Sequence, residues 1–75
     1  MKTQTLEALM NQGFRKGFVE DRHALLKEFK IRNVPIIEIY ELQDGVWEQM
    51  YYGEASYVQK YISFGDLNEK EIRSR

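Results

Sequence analysis

The chain has no cysteine, one proline, one histidine and one tryptophan in 75 residues. Without cysteine there are no disulfides, thiolate nucleophiles, zinc-thiolate sites or iron-sulfur clusters, so stability has to come from packing or from a partner chain. A lone histidine leaves metal sites and serine hydrolysis without a framework, because useful metal sites need three or four convergent ligands and a serine nucleophile needs a base beside it. His23 reads as an exposed helix residue, and Ser56 as a helix cap. No apolar run approaches the roughly 18 to 20 residues that span a bilayer, and Met1-Lys2-Thr3 leads into an amphipathic segment rather than a signal-peptide core. The expectation is a cytoplasmic protein with no membrane contact.

What is present is ordinary for a folded domain: 43 % hydrophobic, 31 % charged and 13 % aromatic residues. A chain of this length buries only about 60 % of the surface its unfolded form exposes, so the core is small and one domain is the limit. Residues 1–65 are read as that domain, and 66–75 as a tail or a short helical turn. The net charge of −1 is unevenly spread. Between 15 and 32, Arg15, Lys16, Arg22, Lys27, Lys30 and Arg32 oppose three acidic residues, whereas from 33 onward eight acidic residues oppose four basic ones.

Apolar spacing gives the elements. Leu6, Leu9, Met10 and Phe14 recur at helical intervals between a candidate cap at Thr3 and a stop at Gly13. Residues 14–20 fit either a strand or a helical connection. Asp21 caps a second helix in which Leu25, Leu26 and Phe29 share a face. A β-hairpin follows: Val34 to Leu42, an Asp44-Gly45 turn, then Val46 to Tyr52. A two-residue loop there puts 39 against 50 and 37 against 52, so Ile37, Ile39, Met50 and Tyr52 form the core face and Glu41 meets Glu48; a bulged loop including Gln43 is the alternative. Ser56 and Gln59 then open a third helix carrying Tyr57, Val58, Tyr61 and Ile62. The fold class expected is α+β, in the order α, α or β, α, β, β, α, with helices packed on the hairpin.

The run Phe29, Ile31, Arg32-Asn33, Val34-Pro35, followed by a strand, an Asp-Gly turn, a strand ending at Gly53 and a last helix, resembles the C-terminal half of the thioredoxin and glutaredoxin family. The resemblance covers residues 25–62 and implies a cis Pro35 and a truncated thioredoxin-like layer. The family's first strand and its Cys-x-x-Cys motif have no counterpart here, so the implied domain is redox-inactive.

No catalytic, cofactor-binding or metal-ligating set emerges, and no enzyme is expected. Aromatic residues carry the functional reading instead. Tyr40, Leu42, Trp47 and Tyr51 would share the hairpin face opposite Ile37 and Ile39, an apolar surface suited to binding a protein partner or a second copy as a homodimer. The alternative is a winged-helix-like reader of DNA or RNA, with Arg15, Lys16, Arg22, Lys27, Lys30 and Arg32 meeting phosphates. Against that, Asp44, Glu41 and Glu48 at the wing tip would repel the backbone.

Overall fold

The computed structural model describes residues 2–65. Its elements are β1 (Thr3–Gln4), α1 (Leu6–Asn11), β2 (Arg15–Val19), β3 (Arg22–Ile31), β4 (Val34–Gln43), β5 (Val46–Glu54), two 3-10 turns (Ala55–Tyr57 and Gln59–Tyr61) and β6 (Ile62–Phe64). The strands form one antiparallel sheet in the order β1-β5-β4-β3-β2-β6. This replaces the expected α+β arrangement of helices on a hairpin, since α1 is the one α-helix among the described residues. The tail expected at 66–75 lies outside them.

The largest correction is β3. Its Leu25, Leu26 and Phe29 imitate the i, i+1, i+4 apolar set of a helix, yet the consecutive residues Ala24, Leu25 and Leu26 are all buried. A central strand covered on both faces loses its polar alternation, and that happens here. Leu25 pairs with Tyr40 on one face, and Leu26 with Ile39 on the other. Of residues 14–20, open between helix and strand in the sequence, 15–19 form β2. Thr3 belongs to β1, and the cap of α1 is Thr5, whose hydroxyl accepts from the Ala8 amide at 3.1 Å. The third helix expected from Ser56 is two 3-10 turns and a short strand, and its capping box does not form.

Strands β2 to β5 are a meander joined by two-residue turns. Asp44-Gly45 makes one, with φ of 52° and 85°, and Arg32-Asn33 another, with φ of 52° and 68°. Two positive φ values in succession suit glycine and asparagine, and an arginine there is strained. Arg32→Asn is therefore expected to raise stability by about 0.5–1 kcal/mol, read as a higher urea midpoint.

The peptide bond before Pro35 is trans, not cis, as no cis bond occurs among the described residues. Ile31 and Val34 close their hairpin, so the Pro35 nitrogen faces away from β3, one step beyond the last β4–β5 pair at Ile36 and Glu54. Its missing N–H costs the ladder nothing at that position. The β4–β5 register follows the two-residue loop as far as Glu41 against Glu48 and Tyr40 against Gln49, and then a bulge at Met50 shifts it. Ile39 meets Tyr51 and Ile37 meets Gly53, so Tyr51 joins the Ile37–Ile39 face beside the bulged Met50, while Tyr52, opposite Glu38, turns to the other.

Two crossovers on opposite faces close the meander. From β1 at one edge, α1 crosses to β2, seating Leu9 and Phe14 on Leu25 and Tyr40, with Trp47 packed alongside. From β5, the 3-10 segment crosses the other face to β6, seating Ala55, Val58 and Ile62 against Ala24, Leu26, Ile37 and Ile39. Each layer is thin. A six-residue helix is only about 9 Å long and cannot cover a face that is about 14 Å wide from β2 to β5.

Candidate functional site

The part of the sheet that α1 leaves bare is the candidate site. On its face the residues fall in two rows. The lower row holds Lys16, Leu25, Tyr40 and Gln49, and most of it lies beneath the helix. The upper row holds Phe18, His23, Leu42 and Trp47, next to the β2–β3 and β4–β5 turns. Between that row and the first turn of α1 opens a cleft of about 490 Å³, lined by Leu6, Lys16, Phe18, His23, Leu42 and Trp47 among others. A second hollow of about 420 Å³ adjoins it through Leu6 and Trp47 and continues past Val46 to Thr3, Gln4 and Thr5 of the β1 edge.

The rim is apolar and open to solvent: Leu6 is 43 % exposed, Leu42 53 % and Val46 47 %. Two of its rings are braced, because Phe18 and His23 lie 4.9 Å apart between centroids. The floor is held from below. Gln12 donates to Gln4, and Gln4 donates to the Tyr40 hydroxyl at 2.9 Å, joining the end of α1, β1 and β4. Phe14 meets the Tyr40 ring edge-on, 5.3 Å between centroids at 89°.

Set against protein-family models, curated proteins and solved structures, the chain matches none. The reading of the site therefore rests on its own chemistry.

Of the four residues expected to form the contact surface, Leu42 and Trp47 meet in the cleft. Tyr40 shares their face but is fully buried under α1. Tyr51 lies on the opposite face, carried there by the Met50 bulge, and its hydroxyl donates to the Glu54 carbonyl at 2.9 Å. Phe18, His23 and Leu6 were not expected at the contact surface, and His23, read from sequence as an exposed helix residue, is an exposed residue of β3. The alternation Lys16, Phe18 and His23, Leu25 is their signal, visible once 15–19 and 22–31 are read as strands.

The six basic residues do not gather into one surface. The Arg15 guanidinium stacks 4.7 Å from the Phe64 ring, and the Lys27 ammonium lies 5.8 Å from that of Phe14. Lys16 lines the cleft, while Lys30 and Arg32 sit at the far end of the β3–β4 hairpin. Arg22 is committed to carboxylates: its Nε donates to Glu41 at 3.0 Å and its Nη1 to Glu20 at 3.2 Å. Those bonds, Glu41's first, raise the Arg22 pKa above the ordinary guanidinium value. A raised folded value means that its stabilisation is fully present below the ordinary guanidinium pKa and is lost only as the pH climbs past the folded one.

This ion pair also settles a clash. Glu41 and Glu48 stand directly opposite one another, and Glu41 is buried. Arg22 reaches it diagonally from beside Ala24, the residue that faces Glu41. A hollow of about 370 Å³ beside the pair has Met50, Val58 and Tyr61 in its walls.

Among the described residues no three His, Cys, Asp or Glu side chains converge as a metal site. No described helix is long and apolar enough to cross a membrane.

Proposed function

We propose that this chain is a non-catalytic protein-interaction module whose contact surface is the groove on the α1 face. The observation that carries the reading is the row of Phe18, Leu42 and Trp47 left open beside Leu6, with Leu42 and Leu6 each more than two-fifths exposed. In a domain with so little core, apolar side chains kept in solvent beside a formed cleft are the usual mark of a binding surface. A tryptophan set among aliphatic side chains is the residue type that most often dominates binding energy. Among the described residues the groove brings together no paired carboxylates, nucleophile–base pair or ligand cluster.

The test is selection of a displayed library of random hexapeptides on the full chain. Peptides are expected to enrich on the wild-type chain and to bind Leu42→Asp at least tenfold more weakly, because a charge would then sit in the apolar row. Leu42 is exposed, so the variant keeps its fold, which circular dichroism checks. Failure to enrich any peptide, or equal binding by both forms, overturns the reading.

A further inference from the structure

Two adjoining hollows share Leu6 and Trp47 in their walls and together make up a trough across the sheet, and its shape and charge narrow what it takes. The trough runs across the strands, from Lys16 and Phe18 of β2, over His23 and Leu42, past Trp47, to Thr3–Thr5 at the β1 edge. Neighbouring strands lie about 4.8 Å apart, so β2 to β1 is four spacings, or about 19 Å. An extended chain advances about 3.3 Å per residue, so five or six residues fill that length. Compact small molecules would leave much of the trough uncovered.

Charge is confined to one end. Among the described residues, the ionisable side chains lining the trough are Lys16 and His23, both at the β2–β3 end, and no carboxylate of those residues lines either hollow. The middle is Leu42, Trp47, Leu25 and Leu6, and the far end is threonine, glutamine, valine and glycine. The hollow on the opposite face has the reverse character, with Glu20 and Glu41 around Arg22. An anionic group therefore finds complementary charge only at the Lys16–His23 end of the trough.

Resting on the binding-module reading, we infer that the occupant is an extended peptide segment of a partner protein. It is five or six residues long, with an apolar side chain seated over Leu42 and Trp47 and an acidic one beside Lys16 and His23. The acidic residue sets direction, since the β1 end offers it no cation. The apolar residue supplies most of the affinity, and the acidic one supplies selectivity and a dependence on salt.

The hexapeptides selected on the full chain decide it. Asp or Glu is expected to be enriched at one end and an aromatic or aliphatic residue two or three positions away. Lys16→Glu should then weaken those peptides at least tenfold and favour versions with the acid changed to lysine. Lys30→Glu, at the far end of the β3–β4 hairpin, should leave them unchanged. Lys16→Gln repeats the comparison with a smaller perturbation, should the glutamate variant fail to fold.

Peptides that enrich and need Leu42 but show no acid preference and no response at Lys16 would overturn this inference and leave the binding module standing. No enrichment would remove both. Light scattering of the chain alone covers the remaining occupant, because a dimer that dissociates on Leu42→Asp would show that a second copy fills the trough and would overturn the peptide assignment.

Discussion

Gly17→Val is expected to detach β6 and to destabilise the domain by about 3 kcal/mol, at or beyond the upper end of ordinary overpacking. Gly17 is a buried mid-strand residue of β2, paired with Ala24 on one side and Phe64 on the other. A Cβ placed there would lie 2.5 Å from the Ser63 carbonyl oxygen, 2.6 Å from a Leu26 methyl and 3.2 Å from the Phe64 Cα. Two of those three atoms are backbone, so a rotamer change cannot relieve the contact. The least costly response is for the three-residue strand β6 to leave. Hydrogen exchange should then show lost protection at 62–64, while the β3–β4 ladder keeps its own. A variant in which β6 remains protected would show that β2 shifts instead.

Leu9→Ala carries the second large effect. Leu9 is the one buried residue of α1 and has no exposure to solvent. Its side chain joins Phe14, Leu25 and Tyr40 in the cluster against which Trp47 packs. Removing it costs about 2–5 kcal/mol, from lost transfer energy and the cavity left behind. Domains of this size have about 3–10 kcal/mol in all. The variant is expected to lie close to its unfolding midpoint at room temperature, with Trp47 emission shifted red as the helix lifts. If the urea midpoint falls only slightly, Met10 or Leu6 has rotated into the vacancy.

The elements that were legible in the sequence are those whose signals are local. Asp44-Gly45 between two β-branched and aromatic runs specifies its hairpin because few residue pairs accept two positive φ values. The spacing of Leu6 and Leu9 marks α1, although its cap is Thr5, not Thr3. The segment 21–30 was not legible, because burial on both faces erases the alternation that identifies a strand. Ala24-Leu25-Leu26 then looks the same in a central strand as on a helix. The Met50 bulge was also silent, since one inserted residue leaves composition unchanged and yet sends Tyr51 and Tyr52 to faces opposite to those expected. The candidate site was half visible for the same reasons. Leu42 and Trp47 flank a readable turn, while Phe18 and His23 are brought to them by two strands, one undecided and one misread.

Pairing in the four-stranded meander is entirely between sequence neighbours, and each turn is two residues long. That part of the chain can zip together without waiting for either terminus. The helix and the 3-10 segment then act as two clasps fastened from opposite sides, with no surface in common. Neither has to close first. Either order of closing leads to the native state, and both clasps have to close on each route.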